Sequence, residues 1–217
     1  MKTDAVVCAR NEEDTIMAVI RALYSCRGIG RVFVVDDQSG DATGTYAALA
    51  GAEVITGPGQ GKAAAMLTGL RHVQTARVLF CDADIRGLTP GHVGRLLSGP
   101  DDGMMTGIRG DMPSPGPLPP LSGERCLPAE LARRALADAR GFEAELAIDA
   151  EAGRAQIPVT TVRMAGVTNP RRMPHTELVL TGFRYWPGLL AYAWMWLLTA
   201  LGRWLRLTPV PAASLAR

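Results

Sequence analysis

Cysteine and histidine are both scarce. Four cysteines occur, Cys8, Cys26, Cys81 and Cys126, with no CxxC pair, and the three histidines complete no zinc spacing. That excludes a zinc finger. Cys8 and Cys81 lie in apolar runs and read as buried thiols, so a reducing, cytoplasmic location is expected. The start of the chain lacks the basic residues, long apolar run and small-residue cleavage site of a secretory leader, and none is expected. Net charge is only +2, which excludes a general nucleic-acid binder. Internal repeats are absent as well. A share of 47% apolar and 20% charged residues in 217 is that of a folded chain with a sizeable core.

Short apolar runs alternate with amphipathic stretches through the first hundred residues. Residues 5–9, 31–35, 53–55 and 77–81 read as buried strands. Between them, Asn11 is expected to cap a helix with Glu12, Glu13 and Asp14 in its first turn. Asp41 opens a second helix, and a third follows the loop of residues 57–61. This order predicts an α/β fold with right-handed crossovers and a mainly parallel sheet flanked by helices. Ligands of such sheets sit beyond the carboxyl ends of the strands. Three polar clusters stand there: Arg10-Asn11-Glu12, Asp36-Asp37 and Asp82-Ala83-Asp84.

The second half reads differently. Residues 111–121 hold five prolines and a glycine, which excludes helix and central strand and predicts a loop, read as a lid. Helices are expected at 128–139 and 142–150, a strand at 156–163 and a polar, basic loop at 166–176. No charge occurs from Tyr185 to Gly202, a stretch carrying Trp186, Trp194 and Trp196. As helix it would run about 27 Å, near the lower limit for a bilayer. Residues 185–217 are therefore read as a C-terminal hydrophobic helix and tail. Residues 186–206 could lie on a membrane surface, bury themselves or form a homo-oligomer, or span.

The aspartate triplet carries the most chemistry. Two carboxylates two residues apart at a strand end can approach one hard divalent cation, Mn2+ or Mg2+, which would neutralise a leaving diphosphate. An Asp36-Asp37 carboxylate could accept hydrogen bonds from a base or ribose. Gly61-Lys62 is neither a Walker loop nor a dinucleotide fingerprint, yet a lysine at a helix start favours an anion.

In order along the chain, these residues resemble the family-two glycosyltransferases of GT-A fold, particularly the dolichol- or polyprenyl-phosphate mannose synthase branch. The resemblance rests on Ala9 to Ile16, Val34 to Thr43, Gly61-Lys62-Ala63 with Gly69-Leu70, and Cys81 to Ile85. It continues through Ser122-Gly123-Glu124-Arg125, Gly141 to Leu146, and Ile157-Pro158-Val159 with Arg163 and Gly166. It implies a Rossmann-like GT-A domain over residues 1–184, with a donor half to about 100 and an acceptor half from about 101. Ala9, Arg10, Glu12, Asp37, Lys62 and Asp82 would hold the nucleotide of a UDP- or GDP-sugar. Asp82, Asp84 and His175 would hold the metal. Arg125 and Arg163 would meet a phosphate of the acceptor or donor, and Glu145 would act as a base or orient the acceptor loop.

The resemblance also departs from its pattern. Arg86-Gly87 stands where the mannose synthase branch often has Gln-His, and Glu124 replaces an aromatic residue. The glucosyl-3-phosphoglycerate synthases carry a related glycine-arginine motif. The leading expectation is therefore hexose transfer to polyprenyl phosphate at the inner face of the cell membrane. The alternative is a small soluble acceptor of phosphoglycerate type, or a protein. A sugar-phosphate nucleotidyltransferase is less favoured, because Ala9-Arg10-Asn11-Glu12 stands where its glycine-rich loop would be.

Overall fold

The computed structural model describes residues 1–111, 122–137, 139 and 144–170. The proposed lid, His175 and the C-terminal apolar segment lie outside the described residues. Within them run β1 (Thr3–Ala9), α1 (Ile16–Tyr24), β2 (Ile29–Asp36), α2 (Thr43–Leu49), β3 (Glu53–Thr56), α3 (Lys62–Leu70) and β4 (Arg77–Asp82). The order continues with α4 (Pro90–Leu97), β5 (Met104–Arg109), β6 (Arg125–Pro128), α5 (Ala129–Leu136), α6 (Ala144–Arg154) and β7 (Val159–Met164). None of these helices is long and apolar enough to cross a membrane.

The strands form one seven-stranded sheet in the order β3-β2-β1-β4-β6-β5-β7. Pairing is parallel from β3 to β4 and between β5 and β7, while β6 runs antiparallel to both β4 and β5. The α/β expectation and the mainly parallel sheet therefore hold. Alternation along the strands explains why both faces are covered. Ala5, Val7, Val32 and Val34 pack with α1 and α4 through Ile20, Leu23, Val93 and Leu96. Val6, Phe33, Val35 and Phe80 pack on the opposite face against Met66 and Leu70 of α3, Leu131 of α5 and Ile148 of α6.

Topology also places the site. From β1 the chain winds outward through β2 and β3, then returns to lay β4 on the other side of β1. The winding reverses between β1 and β4, so a crevice opens beyond their carboxyl ends. Ala9 and Asp82, the last residues of those strands, border it.

The first helix starts later than its sequence predicts. Asn11 does not cap it but takes a left-handed conformation with φ 58°, and α1 begins at Ile16. The backbone N–H groups that a helix start would leave open are taken from outside. Thr43 Oγ1 accepts from Glu12 N at 2.7 Å, and Asp41 Oδ2 from Glu13 N at 3.3 Å. Asn11 Oδ1 in return accepts from Gly40 N at 2.8 Å. Two polar loops are thereby laced together beside the crevice.

Candidate active site

At the crevice, α3 begins with Lys62, whose ammonium donates to Asp82 Oδ1 at 2.6 Å and to Glu145 Oε1 at 2.5 Å. The lysine thus joins the β4 end to α6, contributed 83 residues later. Burial works against its charge, but Asp82 and Glu145 outweigh that and hold the ammonium well above lysine's usual range. Asp82 shows the reciprocal effect. Burial pushes its carboxyl up, and Lys62 more than offsets this, leaving it below the usual value. Arg109, at the end of β5, adds a second cation 3.8 Å from Asp82 Oδ2. Gly123 allows this crowding: a Cβ there would meet Asp82 Oδ1 at 2.0 Å.

Asp84 differs from its neighbour. Its Oδ2 accepts from the side-chain amide of Asn169 at 2.6 Å, the only hydrogen bond the carboxylate makes among the described residues. Burial and the nearby Asp82 charge raise its affinity for a proton. One carboxylate of the pair therefore forms ion pairs, while the other bonds a neutral amide and feels Lys62 and Arg109 only at longer range. That imbalance fits a divalent cation, which would relieve the repulsion between them. No group of three or more histidine, cysteine or carboxylate side chains among the described residues could hold a metal alone. A cation on Asp82 and Asp84 would thus find no third side-chain ligand of these types among the described residues, and the expected ligand His175 lies outside them.

Behind this pair lies Glu124, wholly buried. Its Oε2 accepts from Ser122 Oγ at 2.5 Å, while Oε1 has no hydrogen bond and sits 4.0 Å from Arg109 Nη1. Burial, then the Asp82 charge, lifts its carboxyl from 4.5 to about 7. Because the folded state holds this proton more tightly, stability is lost as pH rises from about 4.5 through about 7. Glu124→Gln keeps the serine contact and cannot ionise. Its melting temperature should exceed that of the unsubstituted chain at pH 8 and match it near pH 4; an equal difference at both pH values would refute buried ionisation as the cause.

The other expected residues occupy varied places. Ala9 is buried, and its carbonyl accepts from Asp37 N at 2.8 Å, while Arg10 is exposed at the crevice rim. Glu12 stands in the laced loop described above. Asp37 is buried, and its carboxylate accepts from Gly59 N at 2.6 Å and Gly61 N at 3.3 Å, shaping the loop that delivers Lys62. Arg163 is exposed on edge strand β7, and its guanidinium donates to Arg109 O at 3.3 Å. Glu145 is paired with Lys62, so its carboxylate stands as a counter-charge.

Arg125 departs most from expectation. It is fully buried, with its guanidinium forked onto Asp149 of α6, Nη2 to Oδ2 at 3.0 Å, and Nε donating to Ser122 O at 2.6 Å. This placement ties β6 to α6 within the core instead of presenting a phosphate grip at the surface. Arg109, Glu124 and Asn169 escaped the sequence reading. Arg109 and Asn169 belong to no motif, and Glu124 registered only as a departure from one.

Residues 4–104 match the family model for Glycosyl transferase family 2. The match covers the donor half, from β1 to the start of β5. It supports a nucleotide-sugar glycosyltransferase. No curated protein matches the sequence. Solved structures match over 88% of the chain, among them glucosyl-3-phosphoglycerate synthase from Mycobacterium tuberculosis with Mn2+, UDP-glucose and phosphoglyceric acid. That pair shares 23% identity and a TM-score of 0.73, over 79% of the synthase chain. The complex with Mn2+, UDP-glucose and glycerol 3-phosphate gives 22% identity, a TM-score of 0.72 and the same coverage. The complex with Mg2+ and UDP gives 23%, 0.72 and the same coverage. This likeness is one of fold, and it agrees with the GT-A fold expected from the sequence.

Proposed function

We propose that this chain transfers a hexose from a UDP-sugar, with Mn2+ or Mg2+, to a small phosphate-bearing acceptor of phosphoglycerate type. The observation that carries the reading is the Asp82–Asp84 pair at the β1/β4 crevice, with Lys62 bound to one carboxylate and, among the described residues, an amide on the other. The choice of UDP and of a small phosphate is supported by the named complexes of similarly folded synthases. It replaces polyprenyl phosphate as the leading acceptor.

When bound, the cation supplies charge neutralisation at the departing diphosphate. Asp84 offers it a carboxylate in no ion pair among the described residues, and Asp82 a second one held in place by Lys62. Lys62 also brings positive charge to the start of α3, where the helix dipole favours an anion. Ala9, Arg10, Glu12 and Asp37 line the nucleoside side. Arg163 is assigned to the acceptor phosphate, where a guanidinium fork suits phosphate oxygens. A phosphate acceptor is already anionic and needs no general base, so Glu145 serves to hold Lys62.

Transfer assays with Mn2+ test this reading, pairing UDP-glucose or GDP-mannose with 3-phosphoglycerate, glycerol 3-phosphate or polyprenyl phosphate. The expected outcome is turnover of UDP-glucose with a small phosphate. A second reading keeps polyprenyl phosphate, favoured by the uncharged sequence from Tyr185 to Gly202. Turnover on polyprenyl phosphate alone would establish it and remove the first.

A further inference from the structure

Asn169 belongs to none of the recognised motifs, yet it holds the one carboxylate of the pair that forms no ion pair among the described residues. It follows β7, 85 residues from Asp84 in sequence. Several backbone contacts fix the segment that carries it. Arg86 N donates to Thr168 O at 2.9 Å, and Thr168 N returns to Arg86 O at 3.0 Å. Gly110 N donates to Val167 O at 2.8 Å, and Asn169 N donates to Asp111 Oδ2 at 3.1 Å. The approach is so close that Gly87, at φ +79°, admits no side chain: a Cβ would meet Gly166 O at 2.2 Å. The segment after β7 is thereby stapled to the one leaving β4 and to the end of β5. Through this staple the Asn169 amide reaches Asp84 Oδ2 at 2.6 Å.

The chemistry of that contact is selective. A lysine or arginine at this place would orient Asp84 but also neutralise it, as Lys62 and Arg109 do for Asp82. An amide N–H orients a carboxylate and leaves its charge for a cation. We infer that Asn169 is a positioning residue for the cation site, presetting the Asp84 carboxylate from the acceptor half of the fold without cancelling its charge. This rests on the metal-dependent reading above. Partners that orient metal-binding carboxylates commonly govern affinity by ten- to a hundredfold.

The test is Mn2+ titration of the full chain, followed by electron paramagnetic resonance, with and without UDP, alongside thermal melts. Asn169→Ala should raise the Mn2+ Kd by roughly ten- to a hundredfold. The backbone staple does not need its side chain, so the melting temperature should stay near that of the unsubstituted chain. Turnover should recover as Mn2+ is raised to saturation. Asn169→Lys should abolish Mn2+ binding without loss of fold, because its ammonium takes the cation's role. Asp84→Ala sets the zero. If the unsubstituted chain binds Mn2+ and Asp84→Ala does not, unchanged affinity in Asn169→Ala overturns the role of Asn169 alone. If the unsubstituted chain binds no Mn2+ even with UDP, the metal reading falls and this inference with it.

Discussion

Asp84→Asn should lower kcat/KM for sugar transfer by roughly a thousandfold, about 4 kcal/mol of lost transition-state stabilisation, while leaving the fold as stable as before or more so. The two halves of that result come from the same local electrostatics. Burial and the neighbouring Asp82 raise the proton affinity of the Asp84 carboxyl, so its ionised form is disfavoured in the folded chain. The sign follows directly: a folded-state carboxyl raised above its ordinary value of 3.8 costs stability as pH climbs above that value. Removing the charge at pH 7.5 therefore should not lower the melting temperature. Asparagine keeps an oxygen to accept from Asn169, so the local geometry is retained. Loss of activity with retained stability is the signature of a residue kept for function. Steady-state assays with UDP-glucose and Mn2+, run beside thermal melts, check both halves. Full transfer by Asp84→Asn would end the assignment of a cation to this carboxylate.

The second large effect concerns Arg125 and runs the other way. Its guanidinium and the Asp149 carboxylate are both buried, at 1% and 4% side-chain exposure, so neither can turn to water if the other is removed. Arg125→Ala should therefore cost about 3–5 kcal/mol of stability, and Asp149→Ala a similar amount. For a chain of this size that lowers the melting temperature by roughly 10 °C. Replacing both together, as Arg125→Met with Asp149→Leu, removes two buried charges at once and should restore most of the loss. Thermal unfolding of the three variants checks the pattern. An Arg125→Ala variant that melts like the unsubstituted chain, but has a raised acceptor KM, would return Arg125 to the role of phosphate grip.

Much of the donor half is legible in the sequence. Its four parallel strands announce themselves because both faces of the sheet are covered, giving near-continuous apolar runs such as Val32 to Val35. Asp82 and Lys62 were visible for a related reason: each stands at the boundary between an apolar element and a polar loop. What escaped depended on long-range pairing. β6 consists of Arg-Cys-Leu-Pro, in which a buried charge and a proline hide the strand. Asp149, 24 residues on, pairs with it and makes a buried arginine tolerable there. The late start of α1 has the same origin, since Asp41 and Thr43 claim the N–H groups of Glu12 and Glu13. Asn169 lay beyond reach because nothing near it in sequence points to Asp84.

The antiparallel β6 has a consequence for how the chain assembles. It sits between β4 and β5 although it follows both in sequence. During synthesis, β4 therefore emerges with β1 on one side and an open row of backbone groups on the other. That edge stays open until residues 125–128 arrive. Exposed strand edges invite pairing with other chains, and long-range pairings form slowly. The stretch that carries the family match ends at residue 104, before this strand. Taken alone, that donor half would end in an unsealed sheet. The late strand closes that edge and simultaneously joins donor and acceptor halves, so completing the fold and completing the site belong to one event.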